Sequence, residues 1–280
     1  MKKKNLWVSL CLSAALFLGA CGSDATDTAD SAAGSATDAS GQVTAETIKE
    51  AGVLKVGVKE DVPNFGLRNT ETNEIEGFEI DIAKKIAEEI LGDAEAIELV
   101  PVTAKTRGPL LDNGEVDMVI ATFTVTEERK ETYNFSDAYY VDAVGLLVKK
   151  DKGYTGLADM DGATIGVAQS STTADAINAE AEQYGISLSY SEYATYPEIK
   201  AALDSGRVDA FSVDRSILAG YLDDSTQILK DRFATQDYGV AIKKSNTELA
   251  TTVNDLITAW GEDGTLDAMI TEWELGGEGE

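Results

Sequence analysis

Four short apolar runs of this sequence each lead into residues able to bind charge. Lys59 follows Val56-Gly57-Val58. Thr122, Thr124 and Arg129 follow Val116 to Ile120; Gln169, Ser170, Ser171, Thr172 and Thr173 follow Ile165-Gly166-Val167; Asp214 follows Val208 to Val213. Hydroxyls, two cations and one anion suit a small zwitterion, because guanidinium and hydroxyl groups donate to a carboxylate while an aspartate accepts from an ammonium. Bond-breaking chemistry has less to work with. There is no histidine in the chain, which excludes imidazole metal sites, Ser-His-Asp and Cys-His nucleophile systems and the usual base at neutral pH. Neither a Walker, a G-x-S-x-G nor a G-x-G-x-x-G pattern is present, and Asp24, Asp27 and Asp30 lack calcium-loop spacing. No metal and no cofactor are expected. Carboxylate catalysis stays open, although it needs a cleft acid of raised pKa.

The elements that must position these residues are written in the hydrophobic pattern. Thr44 to Gly52 reads as a short helix with a glycine stop, followed by a strand over Val53 to Val58. Gly77-Phe78-Glu79-Ile80-Asp81-Ile82 leads into a helix whose stripe is Ile82, Ala83, Ile86, Ala87 and Ile90, ending at Gly92. Helices then alternate with β-branched runs at Ile97 to Val102, Val116 to Ile120, Ala163 to Ala168, Leu188 to Tyr193 and Val208 to Val213. Such alternation means an α/β fold with largely parallel sheets. An internal echo adds to it: Leu111-Asp112-Asn113-Gly114-Glu115-Val116-Asp117 recurs 92 residues later as Leu203-Asp204-Ser205-Gly206-Arg207-Val208-Asp209, each preceded by a similar strand. Two related α/β lobes are expected. In open α/β sheets ligands bind outside the carboxyl ends of the strands, where the loops named above lie. Ser170 to Thr173 also precede a helix with Ala174, Ile177, Ala181 and Tyr184 on one face, so their backbone N–H groups are placed to receive a carboxylate.

Size and charge narrow the class further. The 280 residues are 43% hydrophobic, enough for about two domains with real cores. With 23 basic and 50 acidic residues the formal charge is −27, which repels phosphate backbones; nucleic acid is not the partner. Met1-Lys2-Lys3-Lys4, the apolar stretch Leu6 to Leu18 and Leu18-Gly19-Ala20-Cys21 together read as an export signal over residues 1–20. The cysteine after the small residues resembles the bacterial lipobox, which implies cleavage before Cys21, diacylglyceryl attachment to its sulfur and a lipid-anchored protein on the extracytoplasmic face of the cell membrane. Cys11 is lost with the signal. Residues 21–44 are rich in Ser, Ala, Thr, Gly and Asp and read as a lipidated flexible tether.

At these residues the chain resembles the extracellular solute-binding proteins of polar amino-acid ABC transporters, family 3. Gly77 to Ala87 matches the family signature, and Thr124-Val125-Thr126-Glu127-Glu128-Arg129 matches its T-x-T-x-E-R segment. Lys105-Thr106-Arg107-Gly108-Pro109-Leu110-Leu111-Asp112-Asn113-Gly114 and Ala121-Thr122-Phe123-Thr124 look most like the aspartate/glutamate-binding members. The resemblance covers Glu46 to the C-terminus. It implies a two-lobed periplasmic-binding-protein-like (type II) fold with two hinge strands, here Tyr139 to Val148 and Gln236 to Ile242. Lobe one is then 45–141 with a return over 237–280, and lobe two is 142–236. It further implies a monomer, no enzyme, a free amino acid as ligand and an ABC permease as partner.

Carried over by position, the family's arginine at Arg129 takes the ligand α-carboxylate, helped by Thr124 and Thr172, and an aspartate at Asp214 takes the α-ammonium with Thr122 completing that shell. Tyr196 and Tyr238 match further contacts of the dicarboxylic-acid binders, and Phe65 is a candidate for the aromatic wall. Lys59 stands where many members have an aspartate, and Arg107 is added. Two extra cations are wasteful for glutamine but pair with a side-chain carboxylate, so an acidic ligand is expected. Glutamine or another polar amino acid is the alternative, followed by a surface adhesin or a cleft enzyme of the dehydratase type. Plainer roles also exist. Lys59 and Arg107 suit exposed salt bridges, Thr124 and Ser171 suit helix caps, Asp214 suits an N-cap before Arg215, Tyr196 suits the core, and Arg129 suits a pair with Glu127 or Glu131.

Overall fold

The structure is a computed structural model, and it describes residue 37 and residues 41–276. The expected export signal, Cys21 and most of the expected tether lie outside the described residues. Order begins with α1 (Ala45–Ala51), where Thr44 and Thr47 form a reciprocal capping box and Gly52, at φ +71°, ends the helix.

The first sheet takes β1 (Leu54–Val58), β5 (Ile97–Pro101), β6 (Met118–Ile120), β7 (Tyr133–Phe135) and β14 (Ala241–Lys243) in the order β5-β1-β6-β14-β7. The first three strands are parallel and β14 is antiparallel to its neighbours β6 and β7. Between β1 and β5 a small antiparallel sheet of β2 (Asp61–Val62), β3 (Gly66–Arg68) and β4 (Ile75–Glu76) leads into α2 (Phe78–Leu91). The expected stripe of α2, Ile82, Ala83, Ile86, Ala87 and Ile90, is buried as read. Two short helices, α3 (Arg107–Asp112) and α4 (Glu127–Thr132), flank β6.

The second sheet is built from β8 (Tyr140–Lys149), β9 (Thr164–Ala168), β10 (Ser189–Tyr193), β11 (Ala210–Asp214) and β12 (Thr226–Ile228), ordered β10-β9-β11-β8-β12, with β13 (Phe233–Tyr238) also paired to β8. Helices α5 (Thr173–Tyr184), α6 (Tyr196–Asp204) and α7 (Arg215–Ala219) connect its strands, and α8 (Thr247–Glu262) and α9 (Thr265–Glu272) end the chain against the first sheet's side. Strands β8 and β13 run antiparallel, Tyr140 opposite Tyr238 and Val144 opposite Phe233, and they connect the two halves of this two-lobed α/β fold. On α5 one expectation fails. Ile177 and Ala181 are buried, but Tyr184 is 49% exposed, because it is the last residue of α5 and the chain turns away there at Gly185 (φ +67°).

The internal echo is structural. Asp117 donates its backbone N–H to the Lys55 carbonyl (2.9 Å) while its carboxylate accepts the Lys55 N–H (2.8 Å). Asp209 does the same with Thr164, at 2.7 and 3.0 Å. Each repeat therefore clamps its strand to the preceding parallel one at the same register, Val56 opposite Met118 and Ile165 opposite Ala210. Gly57 and Gly166 sit at matching positions, where a Cβ would meet Val119 at 3.1 Å in the first repeat and Ile199 at 2.7 Å in the second. These doubled clamps set the strand ends that carry the site.

Candidate ligand-binding cleft

The carboxyl ends of β1, β6, β9 and β11 bring most of the expected residues together. Lys59 and Arg107 are not surface cations, being 2% and 3% exposed. Lys59 Nζ pairs with Asp61 Oδ1 at 2.9 Å and lies 4.7 Å from the centre of the Tyr196 ring. Burial pulls the Lys59 pKa down, with Asp61 opposing. Lys59 therefore has an internal anion already in place.

Arg107 differs. One of its nitrogens donates to the carbonyls of Ala121 (2.6 Å) and Thr122 (2.9 Å), and its guanidinium stacks 4.0 Å from the centre of the Phe123 ring. No carboxylate lies within ion-pair distance of it among the described residues, and its Nε has no hydrogen-bond partner there. Burial lowers its pKa, opposed by Tyr196, Tyr139, Glu79 and Tyr238 around it.

Arg129 shares the same aromatic plate, 4.9 Å from the Phe123 ring centre. It does not pair with Glu127, which instead holds Lys130. Its guanidinium donates to the Thr124 carbonyl (2.7 Å) and reaches across to the Ser170 carbonyl (3.3 Å). Burial, aided by the charge of Arg107, brings its pKa down to about 10. Thr124 is not a helix cap; Thr126 caps α4, and the Thr124 hydroxyl donates to Gln236 Oε1 at 2.9 Å. Thr172 donates to the same oxygen at 3.0 Å, so Gln236 on β13 gathers one hydroxyl from each lobe. Ser171 turns back on the Ala168 carbonyl at 2.8 Å, the turn that places Thr172 at the start of α5.

Asp214 stands at the N-cap position of α7 without capping it. Its carboxylate instead accepts the Tyr238 hydroxyl. Burial, with the nearby negative charge of Asp142, pushes its pKa up to about 7. Tyr196 is buried against Phe211 and Tyr221, as its plainer core role has it. Its backbone N–H donates to Asp61 Oδ2 at 3.1 Å, and the Tyr221 hydroxyl donates to the Asp61 carbonyl. Asp61 therefore ties the loop after β1 to the second lobe. Phe65 is a hinge-core residue, edge-on to Phe78, Tyr140 and Tyr238, and the aromatic plate facing the guanidiniums is Phe123.

Sequence reasoning placed Glu79 only within the signature run. It is fully buried, and its Oε1 accepts the Thr122 backbone N–H at 2.6 Å and the Tyr139 hydroxyl at 2.5 Å. Thr122 sits at φ +47°, a region that β-branched residues rarely enter. The signal was available in part: an acid three residues before the first residue of an apolar helical stripe lies on the stripe's own face and needs a polar partner there. Gln236 and Asp61 carried no such signal.

A family model described as bacterial extracellular solute-binding proteins, family 3, matches residues 54–276. A glutamine-binding protein of Geobacillus stearothermophilus is 41% identical over 87% of this chain and 95% of its own length. A glutamine-binding protein of an ABC transporter from Bacillus subtilis is 37% identical over 98% and 97%, and a glutamate-binding protein of Corynebacterium glutamicum 32% identical over 80% and 79%. Among solved structures, a solute receptor for L-cysteine of Neisseria gonorrhoeae superposes with a TM-score of 0.75 at 30% identity, covering 82% of this chain and 93% of the other.

Proposed function

The chain belongs to the bacterial extracellular solute-binding proteins, family 3, and from that premise we propose that this amino-acid ABC importer component captures an acidic amino acid, glutamate or aspartate. The observation that carries the reading is Arg107, a buried guanidinium bonded only to two backbone carbonyls, with no carboxylate within ion-pair distance among the described residues. An unpaired buried cation is costly, and an anion from the ligand relieves that cost. The charges balance: Arg129 meets the α-carboxylate, Asp214 the α-ammonium and Arg107 the side-chain carboxylate. Thr124 and Thr172, both directed at Gln236, flank the α-carboxylate, and Thr122 and Tyr238 complete the shell around Asp214. Ser171 shapes the loop and Tyr196 walls the side-chain end above Lys59.

Lobe one comprises 45–141 and 237–280 and lobe two 142–236, an assignment supported by the membership of the two sheets. Capture proceeds by closure about β8 and β13. Ligand docks on lobe one at Arg107 and Arg129; lobe two then adds Asp214 and the Ser170 to Thr173 loop. Contacts between the lobes support this, namely Arg129 with Ser170, Asp61 with Tyr196 and Tyr221, and Thr124 through Gln236 with Thr172. The closed form is what the permease recognises. The monomer is tethered by lipid at Cys21, which a Cys21→Ser variant released from membranes would support.

Glutamine is the second reading. It is favoured by the two glutamine-binding relatives and by the Lys59–Asp61 pair, which leaves one unpaired cation instead of two at the side-chain end. The deciding experiment is the thermal shift of protein stripped by unfolding and refolding, measured with glutamate, aspartate, glutamine, asparagine, histidine and arginine. Ligand at about a hundred times its Kd stabilises by about 2.7 kcal/mol. A response to glutamate and aspartate supports the first reading, a response confined to glutamine replaces it, and silence across the panel removes both.

A further inference from the structure

Glu79 is a buried carboxyl beside Arg107 to which the reading above gives no task. Its Oε1 is fully engaged by Thr122 and Tyr139, while its Oε2 is buried with no hydrogen-bond partner among the described residues. Thr122, held at φ +47°, presents its carbonyl to Arg107, and the Ala121 carbonyl beside it accepts from the same nitrogen. Glu79 therefore fixes the backbone turn that fixes the guanidinium.

The groups facing this carboxyl are Arg107 from α3, Lys59 from the end of β1, Tyr139 from the approach to β8 and the Thr122 N–H from the end of β6. Two cations are the charged groups that act on it most, Lys59 bringing its own anion Asp61 with it. When a ligand carboxylate docks on Arg107, a second negative charge arrives in the same dry chamber, and like charges there repel strongly. We propose that Glu79 positions Arg107 through Thr122 and takes up a proton from solvent on its free Oε2 as an anionic ligand side chain binds. No ligand bond is broken; one proton moves from solvent to Oε2, where the neutral acid keeps both of its Oε1 hydrogen bonds. Burial, which already pushes the Glu79 pKa up to about 7, makes that uptake accessible near neutral pH.

The proposal rests on the reading that Arg107 meets the ligand side chain. The test is calorimetric titration of the protein with glutamate and with glutamine at about pH 7.5, in buffers of different ionisation enthalpy, which counts protons exchanged. Proton release at Asp214 is common to both ligands and cancels in their difference. Expected is a net uptake of up to roughly one proton for glutamate relative to glutamine, and a glutamate-to-glutamine affinity ratio falling by up to roughly tenfold per pH unit above about 7. Glu79→Gln, which keeps the Oε1 acceptor but has no charge, abolishes both. Equal proton counts in the wild-type protein, or a difference that survives Glu79→Gln, overturns the proposal; the wild-type comparison stands even if the variant does not fold. Arg107→Met separates the two ideas. Equal weakening of both ligands removes the underlying reading, whereas selective loss of glutamate with equal proton counts removes the Glu79 proposal alone.

Discussion

Lys59 Nζ lies 2.9 Å from Asp61 Oδ1, and the other oxygen of the same carboxylate accepts the Tyr196 N–H from the opposite lobe. One buried ion pair thus serves the contact between lobes, while Arg107, at the same end of the cleft, has no such anion. Two cations that look equivalent in sequence are different in kind, and their variants should separate.

Arg107→Met is expected to weaken glutamate by roughly a hundredfold or more, the cost of leaving one member of a buried charge pair alone. Lys59→Met should weaken glutamate by roughly tenfold or less, acting through the freed Asp61 and the Tyr196 contact, and should weaken glutamine to a similar degree. Isothermal titration of both variants with both ligands decides. A Lys59 effect as large and as glutamate-selective as that of Arg107 would return Lys59 to the role of a side-chain reader.

Arg129→Met removes the group assigned to the α-carboxylate that every amino acid shares. Its loss should therefore be blind to the side chain, about 3–5 kcal/mol for glutamate, aspartate and glutamine alike, or roughly a hundred- to several thousand-fold in Kd. Arg129→Lys should recover little, because an ammonium cannot donate as a planar fork to a carboxylate. A loss below about tenfold sinks the assignment.

The pH dependence of stability follows from the buried carboxyls Glu79 and Asp214, with Asp142, whose pKa burial also raises, acting in the same direction. Glu79 and Asp214 both have pKa values pushed up to about 7 by burial, from ordinary values near 4. Between about pH 4 and pH 7 the folded protein keeps protons that the unfolded chain has lost, so stability falls as pH rises through that window. Each shift amounts to roughly 3–4 kcal/mol at about 1.4 kcal/mol per pKa unit, an upper bound for the pair of on the order of 8 kcal/mol. No histidine titrates there to confuse the reading. Calorimetry of ligand-free protein should show Tm decreasing from about pH 5 to pH 8, with a shallower slope in Asp214→Asn. A Tm that climbs across this range contradicts the burial of these groups.

Much of this architecture was legible because the sequence states it twice. Val56-Gly57-Val58 with Asp117, and Ile165-Gly166-Val167 with Asp209, are local patterns whose spacing survives into matching hydrogen bonds, so the strands and their carboxyl ends could be placed. The roles of Lys59 and Arg107 were less legible, since residue type reveals charge and not partner. Asp61, two residues from Lys59, offered an anion that no periodicity marks as inward. Glu79 was hidden for another reason. Its neighbours Thr122 and Tyr139 are distant in sequence, and only the turn at Thr122 joins them. Tyr184 failed because a helical stripe does not say where its packing surface ends.

The last prediction concerns closure. Gly220, at the end of α7 in the second lobe, packs on Pro63 of the first, and a Cβ built there would sit 2.5 Å from the Pro63 Cβ and 2.7 Å from its Cγ. The backbone at Gly220 is right-handed, φ −69°, so alanine suits the local conformation and any cost falls on the contact between lobes. Pro63 is a rigid ring and cannot swing aside as a long side chain would. Gly220→Ala should therefore wedge the lobes apart and lower the population that holds ligand between them. Because a binding-competent fraction multiplies the affinity for every ligand, glutamate, aspartate and glutamine should all weaken by the same factor, of roughly ten- to a hundredfold. The ligand-free Tm should stay within a few degrees, since neither lobe core is touched. Small-angle scattering with saturating ligand should give a larger radius of gyration than for the wild-type protein. Unchanged affinity would mean that the Pro63–Gly220 contact lies outside the closure motion, whereas a ligand-selective loss would mean that it acts on the pocket and not on the hinge.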